Sequence, residues 1–218
     1  MANFAELSKA IIEGDITKVT ERTQRAVAEG ASPREIIDKG LTPGMDVVGK
    51  HFKEGDMFIP EVLLSARAMH AGLTILKPLL AASDSSTIGR VVLGTIQGDI
   101  HDIGKSLVST MLEGAGFEVT DLGVDVPQQR FAEVAVAKKA NLVGMSALLT
   151  TTMVNMKGVI DRLEEAGVRR QVKIIIGGAP VTQDFANRIG ADGYAPDAAR
   201  AVDLVRRLLG IQVEEERR

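Results

Sequence analysis

The chain of 218 residues contains no cysteine and only three histidines. The first absence excludes disulfides, thiolate metal sites and cysteine nucleophiles, and it fits a cytoplasmic protein. The second leaves too few imidazoles for a protein-built metal cage, because tetrahedral zinc needs several protein ligands. Long apolar runs are missing as well. None approaches the roughly 20 residues needed to cross a bilayer, so no membrane association is expected. The opening stretch MANFAELSKAIIEGD has early acidic residues and none of the apolar core of a signal peptide. There is no excess of basic residues either. The net charge is −3, which gives no reason to expect nucleic acid as a partner. Phosphate-binding G-x-G-x-x-G and Walker lysine patterns are absent, and so is the G-x-S-x-G elbow of a serine nucleophile.

What is present falls into two parts. Residues 1–82 read as helix throughout, with a polar linker at 83–88 and an α/β region over 89–218. In the first part Phe4, Leu7, Ile11 and Ile12 recur at helical spacing up to Gly14. Asp15 then caps a second helix, and Ser32-Pro33 opens a third. That third helix is expected to pause at GLTPG and to resume through Met45, Val48 and Phe52. KEGDMFIP is a break, after which a long helix runs from Pro60 to about Leu80. About four helices with short links predict a small bundle.

From Arg90 the rhythm changes. RVVLGTI, FEVTDLG, NLVGMSA, VKIIIGG and DGYA are short β-prone runs. Helical stretches at Lys105–Gly114, Gln128–Lys139, Thr152–Ala166, Val181–Ile189 and Ala198–Leu209 separate or follow them. Such alternation predicts a five-stranded parallel sheet covered by helices on both faces, in the flavodoxin-like (Rossmann-like) order 2-1-3-4-5. The C-terminal EEERR reads as a solvated tail.

Ligands of such sheets bind beyond the C-terminal ends of the strands. The first of these turns carries Asp99, His101, Asp102, Ile103 and Gly104. The third carries Ser146, Leu148, Thr150 and Thr152. Gly177-Gly178 follows the fourth strand, and Tyr194 lies at the fifth. A serine or threonine triad with His101 and Asp99 lacks its elbow. A receiver-type phosphorylation site would want a cluster of acids and a lysine rather than a histidine. Two readings of the first turn stay open. In one, Asp99 or Asp102 caps the next helix and His101 is exposed by chance. In the other, a macrocycle that brings its own in-plane nitrogens takes one axial nitrogen from His101, with Asp99 orienting the ring.

Asp99-x-His101-x-x-Gly104, Ser146-x-Leu148 and Gly177-Gly178 together resemble the three-part signature of cobalamin-binding domains. Such domains occur in methionine synthase, methyl-carrying corrinoid proteins and carbon-skeleton mutases. FIPEVLLSARAMHAGLTILKPLL resembles the last helices of the four-helix cap in methionine synthase and the corrinoid methyl carriers. SALLTTTM is similar to the form found in the small corrinoid proteins of methylamine, methanol and methyl-ether metabolism.

The resemblance implies a corrinoid cofactor with His101 as axial ligand to cobalt in place of the cofactor's benzimidazole. It implies that the displaced tail runs beside the Ser-x-Leu and Gly-Gly loops, in a slot that the two glycines keep free of side chains. Ser146 and Thr150 would face the benzimidazole, and Thr152 would supply the hydroxyl that completes a relay with His101 and Asp99. From the cap, Phe58 would shield the methyl face, with Val62 and Leu63 as further candidates. The implied function is that of a non-autonomous carrier of a methyl group. One partner would be a substrate-specific methyltransferase and the other a corrinoid:acceptor methyltransferase that uses tetrahydrofolate or a thiol coenzyme. A reductive activase would serve as a third. A cobalamin-dependent regulator or a mutase subunit is the alternative. The regulator would need a DNA-binding segment ahead of the cap, where the chain is expected to be too short. The mutase subunit would not need the cap.

Overall fold

The structure, a computed structural model, describes residues 3–81 and 87–211. The linker expected at 83–88 therefore lies outside the described residues except at its last two positions, and EEERR lies outside them entirely. The described chain forms two units: Met1–Thr87 with Thr110–Gly116, and Ile88–Ser109 with Phe117–Arg218. No helix among the described residues is long and apolar enough to cross a membrane.

The first unit is helical. Helix α1 (Phe4–Ile12) is followed by α2 (Ile16–Ala28), where the Asp15 carboxylate accepts the Lys18 N–H at 3.0 Å. Ser32 caps α3 (Pro33–Ile36) in the same way, through the Glu35 N–H. The expected pause at GLTPG does not occur. A π-helical turn over Ile37–Leu41 runs directly into α4 (Thr42–Glu54), and the Thr42 N–H reaches back to the Ile37 carbonyl. Pro43 sits in the first turn of α4, where a missing N–H costs little. The two glycines serve packing instead of a break. A Cβ on Gly40 would lie 2.7 Å from Leu7, and one on Gly44 would lie 2.7 Å from Ile11, both on α1. After the turn at Gly55, α5 (Ile59–Ala81) closes the bundle by packing on α2. Leu7, Ile11, Ile36, Leu41, Met69 and Leu76 are fully buried.

The second unit is a sheet of five parallel strands in the order β2-β1-β3-β4-β5, as the alternation predicts. The strands are β1 (Arg90–Thr95), β2 (Glu118–Asp121), β3 (Leu142–Ser146), β4 (Lys173–Gly177) and β5 (Gly193–Tyr194). Between and after them run α6 (Ile103–Gly114), α7 (Gln128–Lys138), α8 (Thr150–Met153), α9 (Met156–Glu165), α10 (Gln183–Ile189) and α11 (Ala198–Leu208). The central strands are buried almost end to end, as parallel strands covered on both faces must be.

One expected helix is broken. The stretch 152–166 divides into α8 and α9 at Val154-Asn155. The cause is tertiary: the Thr152 hydroxyl bonds the Asp99 carboxylate, and the Asn155 amide donates to the Gln97 carbonyl at 3.1 Å. Both partners belong to the loop after β1. The last turn of α6 groups with the helical residues, where the Thr42 hydroxyl donates to the Gly114 carbonyl at 3.0 Å.

Candidate functional site

Because β1 lies between β2 and β3, the loop after β1 (residues 96–102) is flanked by the loops after those two strands. It turns sharply, with the Asp99 N–H donating to the Ile96 carbonyl at 3.1 Å. The buried Thr95 hydroxyl donates to the His101 carbonyl at 2.8 Å.

Asp99 is the centre of a hydrogen-bond array. Its Oδ1 accepts the His101 backbone N–H at 3.1 Å and lies 2.9 Å from His101 Nδ1. Its Oδ2 accepts the N–H groups of Leu148 at 2.8 Å and Leu149 at 3.3 Å, and the Thr152 hydroxyl at 2.8 Å. Burial alone would push this carboxyl up. Hydrogen bonds from the Leu148 and His101 amides, the His101 ring and the Thr152 hydroxyl outweigh it and hold Asp99 well below the usual carboxylate range. The carboxylate is thus committed to His101 and the β3 loop, and does not cap the helix after β1.

An ionised Asp99 facing Nδ1 selects the tautomer with the proton on Nδ1. Nε2 then keeps its lone pair, and it has no partner among the described residues. The ring is about half exposed, at 51%.

The other expected residues occupy varied settings. Ser146 ends β3 half-buried and Thr150 opens α8 exposed. Neither hydroxyl has a hydrogen-bond partner among the described residues. Gly104 faces open space, with nothing within 4 Å of a Cβ built there. Asp102 and Ile103 are exposed. Tyr194 is half-buried against the core of the sheet. Leu148 takes part through its amide, while its side chain is exposed. Ile100, Ile103, Val124, Leu149 and Val154, on the loops at this edge or beside them, are exposed as well.

The two glycines sit where the chain approaches itself closely. Gly178 has a φ of +122°, and an added Cβ would lie 1.8 Å from the Ala147 carbonyl oxygen. The adjacent loops touch there, and only glycine permits it. Gly177 is crowded as well, with the Ala195 carbonyl 3.1 Å from a built Cβ. In the helical unit Val62 is fully buried and presents no surface to a ligand, so it is core. Leu63 is half-buried, whereas Phe58 is 68% exposed. Sequence reasoning missed Thr95, Leu149, Asp125 and Asn155, all of which hold the β1 loop through backbone groups. Only the position of Thr95 at a strand end hinted at this.

Residues 89–203 match the B12 binding domain family, and residues 4–77 match a second B12 binding domain family. The chain is 47% identical over 208 residues to trimethylamine corrinoid protein 1 of Methanosarcina acetivorans, covering 94% of this chain and 96% of that one. The methanol:cobalamin methyltransferase complex of Methanosarcina barkeri contains a chain that superimposes with a TM-score of 0.84 at 36% identity. That match covers 95% of this chain and 79% of that one. A cobalamin-binding protein from Desulfitobacterium hafniense gives a TM-score of 0.77 at 32% identity, covering 95% and 98%. Sheet, oriented imidazole and matches together define a cobalamin-binding protein. The chain belongs to the B12-binding corrinoid proteins, and its cofactor is a corrinoid.

The residues present fit that cofactor. No group of three His, Cys, Asp or Glu side chains able to hold a metal ion exists among the described residues. An ion here must bring most of its ligands with it, as a corrin does. Nε2 of His101 could supply a nitrogen donor to its metal, the unbonded Ser146 and Thr150 hydroxyls could bond its polar parts, and the exposed apolar side chains at this edge could lie against its apolar ones.

Proposed function

We propose that the chain carries a methyl group on corrinoid cobalt between two methyltransferases, with His101 Nε2 as the axial ligand. The bound corrinoid supplies the cobalt that takes up and gives back the methyl group. The observation that carries the reading is the buried Asp99 carboxylate that orients the exposed His101 ring. His101 would hold the group through Nε2, and the Asp99 carboxylate would orient the imidazole and favour a proton at Nδ1. Thr152 completes the relay by donating to the other carboxylate oxygen.

The relatives named for trimethylamine and dimethylamine favour a methylated amine as donor class. The solved methanol:cobalamin methyltransferase complex supports a methyltransferase partner. A second methyltransferase that takes the methyl group to tetrahydrofolate or a thiol coenzyme, and a reductive activase, complete the proposed set. A chain without cysteine suits a cytoplasmic carrier. Spin resonance of the Co(II) form tests the ligation. Hyperfine coupling to a nitrogen that changes when protein histidine is isotopically labelled is the expected result, and its loss in His101→Ala identifies the residue. Coupling indifferent to the labelling would remove His101 from cobalt.

A further inference from the structure

The loop after β2 contains a backbone anomaly. Among the described residues only two without glycine's freedom have positive φ, Asp125 at 51° and Lys139 at 50°. Lys139 ends α7, where a left-handed residue is ordinary. Asp125 ends no helix. Asparagine and aspartate tolerate this conformation better than other side chains, but some cost remains. Something must hold Asp125 there.

Its hydrogen bonds show what it does. The Asp125 carboxylate accepts the Gly98 N–H at 2.7 Å, and its own N–H donates to the Asp99 carbonyl at 2.9 Å. A single residue therefore grips both sides of the Gly98-Asp99 segment. The surrounding loop is secured in turn. The Val126 N–H donates to the Thr95 carbonyl at 3.0 Å, and the Thr95 N–H donates to the Gly123 carbonyl at 3.0 Å. At the start of the loop the Asp121 carboxylate accepts the Gly123 N–H at 2.9 Å and pairs with the ammonium of Lys105, which is 4% exposed. Lys105 follows Gly104 directly, so the same short stretch is anchored on both sides of His101.

We infer that Asp125 is a positioning residue for the axial ligand: it fixes the Gly98-Asp99 backbone so that the Asp99 carboxylate meets His101 Nδ1. Asp99 receives donors from the β3 loop, and Asp125 braces it from the β2 loop. The left-handed conformation is what turns the Asp125 side chain and amide toward the same segment. This rests on the reading of His101 as the cobalt ligand, but its first test needs no cofactor.

The experiment compares Asp125→Gly, which keeps the backbone conformation and deletes the acceptor, with Asp125→Asn, which keeps an acceptor oxygen. Nitrogen shifts of the His101 ring in labelled apoprotein report the tautomer. Amide exchange reports Gly98, and hydroxocobalamin titration reports affinity. In Asp125→Gly the ring should lose its preference for the Nδ1–H form. Gly98 exchange should speed up and hydroxocobalamin should bind about tenfold more weakly, the effect of losing one charge-assisted hydrogen bond. Asp125→Asn should restore the ring shifts. A merely structural role would lower the melting temperature of Asp125→Gly without moving the ring shifts. Wild-type ring shifts and affinity in Asp125→Gly would overturn the assignment, as would ring shifts in Asp125→Asn equal to those of Asp125→Gly. Should wild-type protein not bind hydroxocobalamin, the proposed function fails, and the ring shifts of the apoprotein still decide the role of Asp125.

Discussion

His101 Nδ1 lies 2.9 Å from Asp99 Oδ1, and the two side chains differ completely in exposure: 51% for the imidazole and none for the carboxylate. The buried partner is rigid and the exposed one is aimed. A carboxylate with five hydrogen-bond donors has no freedom to follow the ring, so the ring must conform to it. That asymmetry suits a histidine that binds a metal from one nitrogen and is held through the other.

Asp99→Asn should be a poor substitute despite its matching shape. Either orientation of the amide turns an NH2 group toward donors, the His101 pair on one side or Leu148, Leu149 and Thr152 on the other. Each buried donor left without an acceptor costs about 1–3 kcal/mol. Chemical denaturation of apoprotein should show a loss of that order. Stability equal to wild type would mean that the array contributes little.

The acid response follows from the same carboxylate. Its folded-state pKa lies below the unfolded value of about 3.9. The unfolded chain therefore binds more protons in this window, and stability rises with pH. Asp99 contributes fully above about pH 4, and the contribution drains away as pH falls toward the folded-state value. Wild type should lose unfolding free energy more steeply than Asp99→Asn below about pH 4, and parallel curves would refute the assignment.

The site glycines should separate by mechanism. Gly178→Ala forces a Cβ to 1.8 Å from the Ala147 carbonyl at a φ of +122°, so the fold itself should suffer, by about 2–4 kcal/mol. Gly104→Ala meets nothing and should leave apoprotein stability within about 0.5 kcal/mol. A larger residue at the same place, Gly104→Leu, should weaken corrinoid binding while the apoprotein stays folded. Calorimetry of the apoproteins beside cofactor titration distinguishes the two cases.

Phe58 and Val62 should part in the same way. Val62→Ala removes fully buried atoms and should destabilise by about 2 kcal/mol. Phe58→Ala removes an exposed ring and should change apoprotein stability by less than about 0.5 kcal/mol. A large loss on Phe58→Ala would place the ring in the core of the bundle.

Much of the architecture was legible in the residues alone. Hydrophobic periodicity marked the helices from Phe4 onward, and near-continuous apolar strands marked a sheet buried on both faces. Asp99, His101 and Gly104 stood out because their spacing is local and their chemistry unusual in a chain with three histidines. What periodicity does not encode is which loops become neighbours. Strand order places β1 between β2 and β3, so Asp99 meets Thr152 from 53 residues away and Gly98 meets Asp125 from 27 residues away. Those bonds broke the helix expected over 152–166 and gave Asp125 its left-handed backbone a use. Tertiary packing also decided between equivalent readings of one residue type. Gly178 is glycine because a neighbouring carbonyl occupies the place of its side chain, Gly104 faces open space, and Val62 is core while Phe58 is not. A residue's identity states what it can do, and the contacts that choose among those options come from chain segments far away in sequence.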